Sequence, residues 1–478
     1  MENTPAANTH SNKLTIVERL DALYEFDREP VSEKKLYGWK TYIAMFSGEH
    51  IAGTEFVLGA LMFMHGVSAR DFFLGLFIGN LLAVLSWALI CAPVGVKTRL
   101  TIYWQLRKSF GPYINIAYSA VYAIILCLLS GAMVNVAVTA VSIPFNIPNP
   151  NFMAGDILPS FSWILLAIFV GAVIAVLAVL GFEKIAHFSK ICAPWMVLVF
   201  FACAFAVLSN LGVHKLSEFW PVAKSTIFPG IPQAGYSKYS LWHVIGFAWL
   251  CNATQHLGVA DITIFRYAKK WTQGFASAFG MFLGHFGAWI CSGILCSAYY
   301  NAGLTNPQPG DIAYYGAGIA GAICVVIAGW STANPGLYRA GLAIQVVTPN
   351  WKRWKVTFAA GLFMIVAACI PAVIAYLDRI VGYIGLLLLP LGACIFIDLW
   401  LLPKLGMISN YVDIKKLMVS WPAAITWILS FAFSIILYRF FSTEPGDLMF
   451  LVLPEWIFAL ALYLGLAYLQ QKVLNKEH

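Results

Sequence analysis

Long apolar stretches recur along the chain, separated by short polar breaks. Taken as windows they give twelve spans, over 37–64, 71–93, 114–141, 161–181, 189–209, 241–260, 273–299, 312–332, 355–376, 380–402, 420–440 and 448–469. Each is near the roughly 20 residues that a helix needs to cross about 30 Å of hydrocarbon. Lipid cannot satisfy exposed backbone groups, so such stretches must be helical. The period-2 alternation of a membrane barrel is absent. The pattern predicts an all-α integral membrane protein with about 12 transmembrane helices, called here spans 1 to 12.

Composition agrees with this. Hydrophobic types make up 60% of the 478 residues and charged types 11%, against about 25% charged in a soluble domain. The ten cysteines lie almost all within apolar stretches and form no C-x-x-C pair. They read as small buried hydrophobes. The N-terminus lacks an early apolar core, so no cleaved signal peptide is expected. The net charge of +8 raises the question of a nucleic-acid partner, but its placement follows topology. With the N-terminus inside, 24 of the 30 Lys and Arg residues fall on the inner side and six outside. That bias predicts cytoplasmic termini, in a plasma (inner) membrane, with no need for nucleic acid or an obligate protein partner.

Polar residues inside spans are costly and mark candidate function. Span 1 contains Phe46-Ser47-Gly48-Glu49-His50-Ile51-Ala52-Gly53-Thr54-Glu55. Two glycines there, each about 1 kcal/mol worse than alanine in a helix, favour local unwinding. Unwound backbone offers carbonyls to a cation and helix ends to a solute. The alternative is that Glu49 and Glu55 only pair with a neighbour. Span 6 offers Trp249, Asn252, Thr254, Gln255 and His256, suited to hydrogen bonding with a polar solute and, at Trp249, to stacking. Interhelical hydrogen bonding would use the same groups. Span 8 reads Trp330-Ser331-Thr332-Ala333-Asn334-Pro335-Gly336. This predicts a polar helix end, with hydroxyls that suit a hard cation such as Na⁺ or merely back-bond. Asp261 and Arg266 read as a boundary ion pair. Breaks in spans 1 and 6 are what an inverted five-helix repeat would produce.

Three motifs resemble the nucleobase–cation symporter family, which includes cytosine permeases and hydantoin carriers. The 2–3 loop has Gly95-Val96-Lys97-Thr98 and Leu106-Arg107-Lys108-Ser109-Phe110-Gly111, similar to G-x-K-T … R-x-S-F-G. Span 8 has Trp330-Ser331-Thr332, then Leu337-Tyr338 and Gly341-Leu342, similar to W-[ST]-T-N … L-Y-x-x-G-L. Span 10 has Pro390-Leu391-Gly392 and Ile397-Asp398. The resemblance covers about 37–402. It implies a leucine-transporter-type fold, with a ten-helix core over 37–402, two peripheral helices over 403–470, an N-terminal arm over 1–36 and a tail over 471–478. It further implies a sodium site of backbone oxygens from Glu49, Gly53 and Ala328 with the Ser331 and Thr332 hydroxyls. The implied substrate site is Thr54, Asn252, Ala253, Thr254, Ala333 and Asn334, to which the residues themselves add Glu55 and Trp249.

There are departures. Leu129 stands where the family often has a stacking tryptophan in span 3, and Ala333 where it has asparagine. Glu49 and Glu55 are additions that could attract a proton or a cationic group. The resulting expectation is a secondary transporter importing a nucleobase or related small nitrogen heterocycle with Na⁺, and no resident cofactor. The alternative is a proton-coupled carrier of an amine or amino-acid-like solute. An integral-membrane enzyme is more distant, because no His, Asp and basic cluster marks one membrane face.

Overall fold

The computed structural model describes residues 29–150, 159–370, 373, 376–441 and 447–474. Most of the expected N-terminal arm (1–28), part of the 142–160 segment (151–158) and the end of the tail (475–478) lie outside them. Among the described residues the structure is helical, with isolated bridges but no strand. Nine of these helices are long and apolar enough to cross a membrane. Large apolar side chains such as Phe169, Leu198, Phe205 and Ile428 remain exposed on them, as a lipid-facing surface requires. The chain is a multi-pass integral membrane protein.

All twelve spans appear. Spans 1 and 6 are broken. Span 1 runs Trp39–His50, leaves helical geometry at Ile51 and Ala52, and resumes over Gly53–Met64. Span 6 runs Leu241–Leu250, breaks at Cys251 and Asn252, and keeps one further turn over Ala253–His256. In span 1 the Ile51 N–H still bonds Ser47 O, and the next backbone bond across the break is Glu55 N–H to Ala52 O. Intervening carbonyls are released from the helical ladder. Gly53 is needed there for close approach, because a Cβ on it would lie 2.6 Å from Val136 Cγ1 and 3.2 Å from Gly329 Cα. The break in span 1 is therefore pressed against spans 3 and 8.

Span 8 departs from expectation. It does not end at Trp330–Gly336: the segment Pro309–Val347 is two helices joined at a kink, and the second runs through Pro335 to Val347. Proline removes one helical hydrogen bond and crowds the preceding turn, a defect that packed neighbours make tolerable in membrane helices. Its non-helical residues lie earlier, at Ala317 and Gly318. Span 8 packs along span 3, Pro112–Val141, through small residues. A Cβ on Gly329 would meet Met133 O at 2.6 Å, and one on Gly336 would meet Ser130 Oγ at 2.6 Å. This is the small-residue contact by which membrane helices approach closely.

Loop contacts sort the connections between spans into two faces. Val31 N–H bonds Arg99 O and Tyr37 N–H bonds Tyr267 O, which gathers the N-terminal segment, the 2–3 loop and the 6–7 connection. Ala69 N–H bonds Phe228 O and Tyr239 N–H bonds His65 O, which joins the 1–2 and 5–6 connections on the other face. Two of the sequence motifs meet on the N-terminal face. Lys97 Nζ donates to Leu399 O at 2.9 Å, and Ser109 Oγ donates to Asp398 Oδ2 at 2.8 Å. Asp398 also accepts from Asn410 N–H. The 2–3 loop is thus fastened to the end of span 10. Spans 11 and 12 pack outside, where Trp427 Nε1 donates to Leu387 O of span 10 and Trp456 Nε1 donates to Leu257 O.

Candidate functional site

Two broken helices facing span 8 leave a cavity of about 130 Å³. This is below the roughly 300–1,000 Å³ that drug-sized ligands occupy, so it suits a small solute. Span 1 lines it with Glu49, His50, Thr54 and Glu55, and span 6 with Cys251, Asn252, Thr254 and Gln255. Span 8 contributes Thr332, Gly336 and Arg339, and span 7 contributes His285. Apolar side chains of spans 3 and 10, among them Leu129, Met133 and Ile384, close the walls.

The charged groups fall into two sets. At one end Arg339 donates to Glu49 Oε1 and Oε2 at 2.6 and 3.3 Å, and to Asp261 Oδ1 at 2.8 Å. Asp261 also accepts from Trp87 Nε1 at 2.8 Å. One guanidinium therefore joins span 1 before its break, the segment after span 6, and span 8. Elsewhere in the cavity Glu55 accepts from Trp289 Nε1 and, at 3.0 Å, from Thr54 Oγ1. His285 Nε2 lies 3.7 Å from Glu55 Oε1 and 3.4 Å from Asn252 Nδ2. His285 belongs to the π-helical stretch Phe279–Ala288 of span 7, a form that often marks functional positions.

The oxygens implied as a sodium site are partly gathered. Ser331 and Thr332 hydroxyls both donate to Ala328 O, at 3.1 and 2.9 Å. Gly53 lies against Gly329, the next residue. Hydroxyl and carbonyl oxygens are hard donors that fit Na⁺ by chemistry. Thr332 also lines the cavity, whereas Ser331 is turned toward Met196 of span 5.

The implied substrate residues divide. Thr54, Glu55, Asn252 and Thr254 line the cavity; Trp249, Ala253, Ala333 and Asn334 do not. Trp249 points to span 2, where its Nε1 donates to Ser86 Oγ at 3.0 Å, and its carbonyl accepts from His256 Nε2. It is not a stacking platform. Ala253 is buried and its carbonyl accepts from Leu257 and Gly258 N–H. Ala333 O accepts from Ser130 Oγ at 3.3 Å. Asn334 is fully buried, with neither amide atom hydrogen-bonded among the described residues.

Two further readings change. Asp261 and Arg266 are not paired with each other. Asp261 pairs with Arg339, while Arg266 donates to Thr263 O and to the Tyr267 and Tyr338 hydroxyls. Arg339 is not a loop cation, as the inner-side count treats it; it is 3% exposed at the cavity. Arg339 and His285 are the site residues that sequence reasoning missed. Continuing the span 8 helix through Pro335 would have found the first. The isolated imidazole within Gly284-His285-Phe286-Gly287 of an apolar span was the signal for the second.

No protein-family model and no curated protein matches the sequence. Solved structures do match in fold. Mhp1, a nucleobase-cation-symport-1 family transporter in a closed conformation with bromovinylhydantoin bound, matches with a TM-score of 0.67 at 14% identity, covering 95% of this chain and 98% of that one. Inward-facing Mhp1 matches with a TM-score of 0.67 at 15% identity, over 93% and 94% of the two chains. A Na⁺-coupled sialic acid symporter in a substrate-bound, outward-open state matches at 0.59 with 14% identity, over 93% and 91%. The chain has the leucine-transporter-type fold of these transporters, broken in spans 1 and 6.

Proposed function

We propose that this chain is a secondary active transporter of the nucleobase–cation symporter type, importing a small nitrogen heterocycle together with Na⁺. One observation carries the reading: a small polar cavity lies where two broken helices meet, and an oxygen cluster on span 8 adjoins one of the breaks. Discontinuous helices supply free carbonyls and helix ends to ions and solutes near the membrane midplane. Three sequence motifs and the fold shared with Mhp1 and the sialic acid symporter support the same assignment.

In this reading Na⁺ binds between spans 1 and 8, at Ala328 O and the Ser331 and Thr332 hydroxyls, beside the Gly53 and Glu49 carbonyls. Holding the break in span 1 in one shape raises solute affinity, and the solute raises Na⁺ affinity by the same factor. Thr54, Asn252 and Thr254 contact the solute, joined by Glu55. The core over 37–402 moves solute, and the two helices over 403–470 brace it. Both termini face the cytoplasm across a plasma (inner) membrane, as the Lys and Arg distribution favours.

The test is uptake of radiolabelled hydantoin and uracil into proteoliposomes, with and without an imposed Na⁺ gradient. Uptake should follow the gradient and fall at least tenfold in Ser331→Ala/Thr332→Ala. Flux indifferent to the gradient in the wild type, or unchanged in the double variant, would remove the sodium role.

A further inference from the structure

A second cavity, of about 240 Å³, opens on the N-terminal face. It lies between the 2–3 loop helix Ile102–Phe110 and the ends of spans 3 and 8. That short helix has two working faces. Gln105 and Ser109 point to Asn410 and Asp398 beyond span 10, while Tyr103, Trp104 and Arg107 line the second cavity.

This cavity continues the line of the central one. On span 8, Thr332, Gly336 and Arg339 line the central cavity, and Leu342 and Val346 line the second. Steps of three and four residues keep all five on one helix face. On span 3, Met133, Ser130 and Leu126 line the central cavity. The same steps lead on through Tyr122 and Tyr118 to Asn115, which lines the second. Buried Tyr122 and Arg339 stand between the two cavities, joined by Tyr103. The Tyr103 hydroxyl donates to Arg339 O at 2.8 Å, and its ring lies 6.4 Å from that of Tyr122. The Tyr118 and Tyr122 hydroxyls are buried without a hydrogen bond among the described residues. One track therefore runs from the centre to the N-terminal face, closed at the level of Arg339.

The second cavity holds what the central one lacks. No Phe, Tyr or Trp is among the described residues lining the central cavity, whereas Trp104 brings an aromatic face to the second. Three side chains supply hydrogen bonds there. Gln345 Nε2 donates to Trp351 O at 3.3 Å, and its Oε1 is buried with no hydrogen bond among the described residues. Asn115 is 2% exposed and its Oδ1 accepts from Ser119 Oγ, which leaves its NH₂ to donate. Arg107 lies over the Trp104 ring at 5.1 Å and adds guanidinium donors. No carboxylate is among the described lining residues. Two donors and one acceptor beside an aromatic ring are the set that a cyclic imide takes, with one N–H between two carbonyls.

We propose that this cavity is a second solute site, on the N-terminal side of the Arg339 closure. A flat, uncharged nitrogen heterocycle with a C(=O)–NH–C(=O) edge stacks on Trp104 and pairs with Asn115, Gln345 and Arg107. This rests on the transporter reading and deepens it, since the same solute class is received there after it leaves the central cavity. The Ala328, Ser331 and Thr332 oxygens lie on the other side of Arg339 along span 8, so the second site binds without Na⁺.

Equilibrium binding of radiolabelled uracil and hydantoin to the purified full-length chain in nanodiscs tests this, with N-methylglucamine replacing Na⁺ at constant ionic strength. In Na⁺-free buffer one site per chain should remain, and Na⁺ should add a second. Gln345→Leu and Trp104→Leu should each weaken the Na⁺-independent site at least tenfold and leave a Na⁺-dependent one. Should either variant fold poorly, Arg107→Gln at an exposed position carries the same expectation, with a loss of at least threefold. The proposal is overturned if neither probe binds without Na⁺, or if that binding survives every folded variant. Displacement of the probes by millimolar inorganic phosphate also overturns it, because Arg107 would then mark an anion site. Loss of the Na⁺-independent class alone defeats only this inference. Absence of the Na⁺-dependent class defeats the transporter reading beneath it.

Discussion

Glu49 and Glu55 flank a single break in span 1, six positions apart, and the protein treats them in opposite ways. Glu49 is clamped by Arg339, which also grips Asp261, so the half-helix before the break is tied to span 8 and to the segment after span 6. Glu55 lies just past the break and meets donors without formal charge, Trp289 and Thr54. The first carboxylate ties three elements together, and the second is held by hydrogen bonds to uncharged donors. A buried carboxylate within a membrane is thus not one kind of object; the charge its neighbours carry decides its use.

The sharpest way to break this contrast is at the shared cation. Arg339→Met leaves the buried Asp261 and the part-buried Glu49 unpaired, and loss of one partner from a buried pair costs about 3–5 kcal/mol. Thermal unfolding in detergent should show a large fall in midpoint, with partial recovery in the triple variant Glu49→Gln/Asp261→Asn/Arg339→Met. If the triple variant is no more stable than Arg339→Met, the charges are not what that arginine serves.

A smaller effect is expected at the break itself. Gly53→Ala sets a methyl 2.6 Å from Val136 Cγ1, and overpacking of this kind costs about 1–3 kcal/mol. Because it wedges span 1 away from Gly329, it should also weaken Na⁺-dependent stabilisation at least tenfold. Normal Na⁺ response in a folded Gly53→Ala protein would separate the break from the ion.

Smaller again is Trp249→Phe. It removes the hydrogen bond to Ser86, worth about 1 kcal/mol, and should leave the KM for uptake unchanged because Trp249 does not line the cavity. A raised KM would return Trp249 to the solute. Least of all is the expected loss of stability in Glu55→Gln. Its unfolding midpoint should stay close to that of the wild type, since the amide oxygen keeps an acceptor for Trp289 Nε1. A marked drop would show that Glu55 is structural, as Glu49 is.

Much of this arrangement is legible along the chain, and the rest is not, for physical reasons. Apolar length and the cost of unsatisfied backbone in lipid act within a single segment, so the twelve spans can be read directly. The cluster around Gly48, Glu49 and Gly53 marks the break in span 1 for the same local reason, whereas the break in span 6 follows only from the repeat that the polar residues suggest. Span 8 misleads because Pro335 looks like an end, while packing against span 3 carries the helix on to Val347. That extension brings Arg339 to Glu49 across 290 positions, a pairing no local pattern encodes. The rotation of span 6, which sends Trp249 to span 2 and Asn252 to the cavity, is set by contacts with neighbouring helices. Sequence alone determined that this chain crosses a membrane many times and where its helices weaken, because hydropathy and helix propensity are properties of nearby residues. Only the tertiary structure decided which carboxylate is paired with a cation and which meets uncharged donors, because such pairing depends on groups brought together from distant spans.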